Sequence, residues 1–189
     1  MDPISEPCSR FVARLQEACA DGPNAAAIDA VLAAARPSLE SLAPWIAFDA
    51  ARYTRTRLHR SDSFELLLLC WERGQATPVH DHDGQAGWFT VLEGELGVQE
   101  YDREGGPADL RSLAAREETP EGGLRLHQGG RYVVGAGRSV AEAEGPETIH
   151  RVGPVGGRAL SLHLYAGPLD SFLVFDPARG TARRLSVSS

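Results

Sequence analysis

The sequence feature that most constrains the fold is a series of short apolar or alternating stretches between Ser63 and Asp176. The predicted strands are 64–71, 77–82, 87–92, 95–101, 110–114, 124–127, 132–134, 148–152, 158–165 and 171–175. Clusters of glycine and proline separate them, as tight hairpins require. Many short strands at this spacing favour a β-sandwich or β-barrel.

The amino-terminal part has a helical character instead. Phe11, Leu15 and Ala18 fall on one face of a helix, and the following Asp-Gly-Pro-Asn supplies a stop and a new cap. An alanine-rich stretch over 25–35 predicts a second helix, which ends before Pro37.

The length of 189 residues suits a single domain with a substantial core. We expect a helical segment over 1–60, with short helical pieces over 39–53, and a β-barrel over 63–176. The helical segment is expected to cap the mouth of the barrel. The polar tail after Asp176 is expected to fray.

Charge and cysteine content narrow the possible partners and compartment. The formal net charge is −7 and no basic block is present, which argues against nucleic acid. Cys8, Cys19 and Cys70 match no disulfide or metal spacing, which indicates a reducing compartment. No basic leader and no apolar run of roughly 18 residues is present, so we expect no membrane span and a cytoplasmic location. No heptad or patch specifies an assembly, and a monomer or weak oligomer is expected.

Histidine spacing carries the functional argument. His80 and His82 are separated by one residue, and residues i and i+2 of a strand point to the same side. His150 and His163 lie in two further strand-like contexts, and either could complete a site of three imidazoles. Neutral imidazoles are ligands for iron, zinc, copper or nickel. The sequence therefore predicts a metal site, without choosing the metal.

Two glycines flank the His-x-His pair, Gly74 six residues before it and Gly94 twelve residues after it. This arrangement resembles the first motif of the cupin superfamily. Most cupins have a glutamate ligand shortly after the second histidine, but the window 83–87 contains none. Asp83 directly follows the second histidine and would point to the opposite face of a regular strand. Three neutral histidines are the more economical ligand set.

Five short motifs make the resemblance more specific. In order they are Tyr53-Thr54-Arg55, Leu69-Cys70-Trp71, His80-Asp81-His82, His150-Arg151-Val152 and Ser161-Leu162-His163-Leu164-Tyr165. Their order and spacing, from about residue 45 to 175, resemble the cysteine dioxygenase type I family, cupin enzymes that oxidise thiols to sulfinic acids. The resemblance implies a mainly β fold, a cupin double-stranded β-helix or jelly-roll barrel, with N-terminal α-helices.

The resemblance also implies roles for individual residues. These are His80, His82 and His150 as ligands of Fe(II), Ser161, His163 and Tyr165 as an outer-sphere relay, and Tyr53 and Arg55 as substrate contacts. The implied substrates are a small thiol, with L-cysteine giving cysteine sulfinic acid as the leading case, and dioxygen. Arg52, Arg57 and Arg60 lie near Arg55, so sequence alone leaves open which arginine clamps a carboxylate.

Two departures from the animal pattern bear on the substrate. Gly87 stands where animal members carry a cysteine that crosslinks to the tyrosine, which is similar to bacterial members. Residues 166–168 read Ala-Gly-Pro in place of Ser-Pro-Pro, which removes the reason to expect a cis peptide bond. Relatives that act on 3-mercaptopropionate tend to carry glutamine at the position of Arg55 and to lack the cis bond, so this chain combines the arginine of the cysteine-specific group with a loop unlike that group's. Another small thiol carboxylate, 3-mercaptopropionate or mercaptosuccinate, is therefore the second hypothesis.

Two further alternatives keep the cupin fold. One is a zinc or nickel hydrolase or isomerase, for which Asp81 or Asp83 would have to act as the general base. The other is a non-catalytic small-molecule sensor, which leaves the relay residues unexplained. His59 and His127 are predicted to be surface residues outside the site.

Overall fold

The computed structural model describes residues 6–104, 121–142 and 148–186. The helices are α1 Glu6–Ala18, α2 Ala25–Ala34 and α3 Leu39–Leu42, followed by a 3₁₀ turn at Ala43–Trp45. The strands are β1 Thr54–Arg60, β2 Phe64–Trp71, β3 Val79–His80, β4 Gly87–Glu93, β5 Glu95–Glu104, β6 Arg125–Gly135, β7 Ser139–Glu142, β8 Ile149–Pro154, β9 Ala159–Ala166, β10 Ser171–Asp176 and β11 Thr181–Ser186. The predicted strand 110–114 lies outside the described residues.

The strands form two antiparallel sheets that face each other. One sheet has the order β1-β2-β9-β4-β7 and the other the order β11-β10-β3-β8-β5-β6. Gly94 joins β4 to β5 with φ +75°, and a Cβ there would lie 2.2 Å from the carbonyl oxygen of Arg158. Only glycine fits that turn. The fold is mainly β, a jelly-roll barrel of the cupin type with N-terminal helices, as predicted.

The helices cover the outer face of the five-stranded sheet. Leu66, Leu68 and Cys70 of β2 point outward into a core that the helices share through Phe11, Leu15, Ile28, Leu32 and Leu42. The alternate residues Leu67 and Leu69 point inward to a second core inside the barrel. This double burial explains the continuous apolar run of β2 over 66–71. The prediction that the helices cap the barrel mouth is wrong, because the apolar face of a helix does not reveal which surface it covers.

The boundary between helices and sheet is also earlier than predicted. Residues 48–53 contain no helix, and the segment Thr54–Arg60 at the end of the predicted helical region is strand β1. The tail after Asp176 was expected to fray, yet Thr181–Ser186 pairs with β10 along its length. These two segments are edge strands that are rich in arginine. Their exposed charged residues obscure the alternation of apolar and polar residues that would predict a strand.

The three cysteines are free and buried. A buried free cysteine packs as a small apolar residue. Within the ranges that the structure describes, no helix is long and apolar enough to cross a membrane.

Candidate metal centre

Three imidazoles meet inside the barrel. His80 of β3 and His150 of β8 are direct partners across the two strands, so their side chains share a face. His82 follows two residues later. The ring centroids of His80 and His82 are 5.3 Å apart, and each lies within 4.8 Å of that of His150. One ligand atom from each residue lies within 4.8 Å of the others, so a single ion can be held between them.

The chain around His82 is fixed by its neighbours. The buried carboxylate of Asp81 accepts hydrogen bonds from the backbone N–H of Leu173 at 2.8 Å and of Asp83 at 3.2 Å. Asp83 then turns the chain with φ 53°, a conformation that aspartate tolerates better than most residues. Its carboxylate makes a two-pronged ion pair with Arg184 of β11, at 3.1 and 3.2 Å. The last strand therefore supports the turn that carries His82.

Burial keeps the three imidazoles neutral, as metal ligands must be. It lowers the pKa of His80 to about 4 and places the pKa values of His82 and His150 well below their ordinary range. His80 Nδ1 lies 3.1 Å from the carbonyl oxygen of Pro78 and donates to it. This contact leaves Nε2 of His80 for a metal and fixes the ring orientation.

No carboxylate joins the three histidines among the residues that the structure describes. Asp81 and Asp83 are held by the backbone of Leu173 and by Arg184, and neither lines the cavity over the histidines. The hypothesis of a hydrolase that uses either carboxylate as its general base therefore has no support. Three neutral nitrogen ligands fit a divalent iron, zinc, copper or nickel ion.

A buried hydrogen-bonded chain lies beside the histidines. Trp71 Nε1 donates to Ser161 Oγ at 2.9 Å, and Ser161 Oγ lies 2.9 Å from His163 Nε2. An indole N–H can only donate. Ser161 Oγ therefore accepts from Trp71, and its contact with His163 Nε2 fixes the orientation of that ring. Burial lowers the pKa of His163 to about 3, so this imidazole stays neutral.

Tyr165 completes the predicted series on β9. It shares the inward face with Ser161 and His163, and its ring lies 4.9 Å from that of His82. The side chain is 6% exposed and lines the cavity. Strand alternation therefore turns Tyr165 to the same side as His163, and its ring lies beside His82 in the cavity.

A cavity of about 460 Å³, including its open mouth, lies over the three imidazoles. It contains every predicted site residue except Ser161, which lies behind His163. The lining side chains are Tyr53, Arg55, Leu69, Thr77, Pro78, His80, His82, His150, Val152, His163, Tyr165, Leu169 and Phe172. The enclosed part of the cavity is small, so it suits a small ligand.

Within the part of the chain that the structure describes, Arg55 is the only arginine or lysine that lines this cavity. It pairs with Leu69 across β1 and β2 and stands exposed at the cavity mouth, beside the half-buried Tyr53. Arg57 and Arg60 instead make ion pairs with Glu65, at 3.9 and 3.5 Å. The structure thus shows that Arg55, and not Arg57 or Arg60, lines the cavity, a choice that the sequence alone left open.

Two other histidines stay outside the cavity. His127 is exposed beside Glu104, as predicted. His59 is half-buried, with its ring centroid 4.7 Å from that of Phe64, so the prediction of a surface position is wrong. Trp71 belongs to the site, although it was not among the predicted site residues. Its indole stacks on Tyr53 at 4.6 Å and donates to Ser161, contacts that depend on the pairing of β2 with β9.

A model of the cysteine dioxygenase type I family matches residues 8–178. The chain belongs to the cysteine dioxygenase type I family. Cysteine dioxygenase type 1 of Rattus norvegicus is 28% identical over 171 residues, which cover 89% of this chain and 78% of the rat protein. The 2-aminoethanethiol dioxygenase of Homo sapiens is 29% identical over 129 residues, 62% of this chain and 47% of the human one.

Among solved structures, a cupin superfamily protein from Desulfitobacterium hafniense DCB-2 aligns with a TM-score of 0.46 and 13% identity, over 67% of this chain and 88% of that chain. The fold assignment rests on the strand order described above. Membership of the cysteine dioxygenase family and the three-histidine cluster together support a thiol dioxygenase.

Two features distinguish this family member. Gly87 lies directly opposite Tyr165 in the pairing of β4 with β9. Because glycine has no side chain, no thioether to Tyr165 can form there. Within the described ranges no peptide bond is cis, and the bonds of Ala166, Gly167 and Pro168 are among those described.

The buried imidazoles predict a pH-dependent stability of the metal-free protein. His80 and His163 titrate near 4 and near 3 in the folded chain, whereas unfolded histidine titrates near 6.5. Below that value the unfolded state binds more protons than the folded state. The free energy of unfolding therefore decreases as the pH is lowered, by at most about 1.4 kcal/mol per pH unit for each imidazole. We expect the urea midpoint to fall steadily from pH 7 to pH 5. A midpoint that stays constant over this range would contradict the burial of neutral imidazoles.

Proposed function

We propose that this protein is an Fe(II)-dependent thiol dioxygenase that converts L-cysteine to cysteine sulfinic acid with both atoms of dioxygen. The observation that carries the proposal is the cavity in which three neutral imidazoles, a tyrosine and a single arginine converge. Membership of the cysteine dioxygenase family supports the same reaction.

His80, His82 and His150 would hold the iron. When bound, the iron supplies a site for the thiolate and for dioxygen together with the redox chemistry. Three neutral ligands leave the charge of the ion uncompensated, which favours a thiolate over a thiol. Iron is preferred to zinc, copper or nickel because of the family. In addition, the described residues that line the cavity include no carboxylate to act as a general base for a metal-bound water.

The side chains around the histidines would orient the substrate. Arg55 lies at the cavity mouth, and its guanidinium group would bind the substrate carboxylate by donating hydrogen bonds to it. Tyr165 would direct its hydroxyl at the sulfur end, held by packing against His82. Leu69, Val152 and Leu169 provide apolar walls that leave little room for water.

Another small thiol carboxylate is the second candidate. Among the described residues that line the cavity there is no aspartate or glutamate, so the ammonium group of cysteine would meet no ionic partner from these residues. A thiol acid without an amine, such as 3-mercaptopropionate or mercaptosuccinate, would satisfy Arg55 equally well. A thiol amine without a carboxylate, such as 2-aminoethanethiol, would leave Arg55 unpaired.

Turnover on these four thiols tests the proposal. The protein is loaded with Fe(II) without oxygen, and oxygen uptake is followed after each thiol is added. We expect the highest kcat/KM for L-cysteine and the lowest for 2-aminoethanethiol. An equal or higher value for a thiol without an amine would overturn the cysteine assignment. Protein that purifies with full zinc and shows no thiol-dependent oxygen uptake would favour a different metal and reaction.

Tyr165→Phe is expected to keep the iron and to lose most of the turnover. Loss of one hydrogen bond from the tyrosine hydroxyl lowers kcat by about tenfold, since the net value of such a bond is about 1 kcal/mol or slightly more. The control is Tyr101→Phe, on β5 and outside the cavity. Unchanged kcat in Tyr165→Phe, with iron content equal to wild type, would show that the hydroxyl takes no part.

A further inference from the structure

A buried carboxylate that the proposed mechanism does not use lies on the inner face of β2. Glu65 is 1% exposed, and it pairs directly across the sheet with Tyr165 of β9. Leu67 and Leu69, the next two residues on the same face, belong to the core inside the barrel. An unpaired charge at such a position would be strongly unfavourable, so the partners of Glu65 indicate its task.

The partners of Glu65 lie on two sides. Arg57 and Arg60 of β1 approach its Oε1 at 3.9 and 3.5 Å. On the other side, Oε2 accepts a hydrogen bond from the backbone N–H of Leu169 at 3.3 Å. Arg60 also contacts the carboxylate of Asp170. Glu65 therefore ties the first strand of the sheet to the turn that follows Tyr165.

That turn forms part of the cavity wall. The side chain of Leu169 is 2% exposed and lines the cavity over the three imidazoles. Two further hydrogen bonds hold the turn, from Gly167 N to the carbonyl oxygen of Ser63 at 2.9 Å and from Gln85 Nε2 to that of Pro168 at 3.0 Å. Of these three contacts, the one from Glu65 involves a charged side chain. It is made to the backbone N–H of Leu169, the residue of the turn that lines the cavity.

Glu65 also shapes the charge of the cavity. Arg55 and Arg57 are two residues apart on β1, and both face the side of the sheet that carries Glu65. Because Glu65 compensates Arg57 and Arg60, Arg55 remains as the cation that lines the cavity. Glu65 thus influences the apolar wall of the cavity through Leu169. It also influences the charge at the cavity mouth through Arg57 and Arg60.

We propose that Glu65 is a positioning residue of the thiol pocket, which acts through the Leu169 backbone and the Arg57–Arg60 pair to set substrate affinity. The proposal rests on the proposed function for its kinetic part. Its structural part concerns the turn over 166–170 and holds whether or not the thiol assignment is correct. Glu65 touches neither the cavity nor the histidines, so it is expected to affect KM and not metal binding.

Two substitutions test this role. Glu65→Gln keeps the shape and removes the charge, whereas Glu65→Asp keeps the charge and shortens the reach to the Leu169 amide. In both variants we expect amide hydrogen exchange of the metal-free protein to accelerate about tenfold or more within 166–170, with little change elsewhere. In the iron-loaded protein we expect KM for L-cysteine to rise about tenfold, with kcat and iron content near wild type.

Glu72→Gln is the matched control, because Glu72 also pairs with an arginine, Arg158, but lies outside the cavity. It is expected to change neither exchange in 166–170 nor KM. Unchanged exchange in that turn in the Glu65 variants would overturn the proposal, as would a uniform acceleration over the whole chain. Absence of thiol-dependent oxygen uptake by wild type would refute the proposed function alone, since the exchange measurement needs neither iron nor thiol.

Discussion

Replacing His150 by alanine is expected to leave the protein without bound iron and without thiol-dependent oxygen uptake. His150 is one of only three ligands that the described residues offer, and two imidazoles cannot hold the ion at working concentrations. Even the loss of a group that merely orients a ligand costs roughly 10- to 100-fold in affinity, so loss of the ligand itself should cost more. Iron content after desalting and the rate of oxygen uptake measure the effect directly.

The matched control is His127→Ala, which removes an exposed imidazole paired with Glu104. It should retain full iron content and activity. Folding of His150→Ala is checked separately by thermal unfolding without metal, because a buried side chain is removed. Full activity in a folded His150→Ala protein would show that the third ligand is a different residue.

Arg55→Gln is expected to lower kcat/KM for L-cysteine by roughly 10- to 100-fold, mainly through KM. A charge-assisted hydrogen bond contributes about 1.5–3 kcal/mol, and Arg55 supplies the one guanidinium among the described lining residues. For 2-aminoethanethiol, which has no carboxylate, kcat/KM should change little. Steady-state oxygen uptake with both thiols gives the comparison.

Arg52→Gln is the control for this prediction, because Arg52 is exposed and does not line the cavity. An equal loss with both thiols in Arg55→Gln would mean that Arg55 supports the fold of the cavity. No loss with either thiol would mean that another group binds the carboxylate.

Strand periodicity was sufficient to predict part of the site. His80 and His82 were placed together by their spacing, and Ser161, His163 and Tyr165 by the same rule. The second prediction needs only the alternation of side chains along one strand. For the first, β3 ends at His80, and the backbone contacts of Asp81 hold His82 in place. The meeting of His80 with His150 depends on the pairing of β3 with β8, which no local pattern encodes.

The position of Arg55 and the tasks of Glu65 and Trp71 could not be predicted from local patterns. Arg57 and Arg60 have the same chemistry as Arg55, and only the burial of Glu65 beneath them shows that they are already paired. The hydrogen bond from Trp71 to Ser161 joins residues that are distant in sequence. Each of these contacts requires the register between strands.

The errors in the fold have a common physical origin. Strands β1 and β11 both lie at sheet edges. Their arginines reach solvent, and each strand has few buried apolar residues to reveal an alternating pattern. Such segments become strands because a neighbour offers a ladder of hydrogen bonds, not because of their own propensity. Because the sequence of β11 is polar, this segment was not predicted to be a strand. The ion pair of Arg184 with Asp83, which supports the turn after His82, was therefore not predicted either.

The most direct test of the central claim is oxygen consumption by the anaerobically iron-loaded protein on addition of L-cysteine, with mass spectrometry of the product made under isotopically labelled dioxygen. We expect one dioxygen consumed per thiol and two labelled oxygen atoms on the sulfur of the product. A protein with full iron content that consumes no oxygen with L-cysteine or any other small thiol would contradict the account.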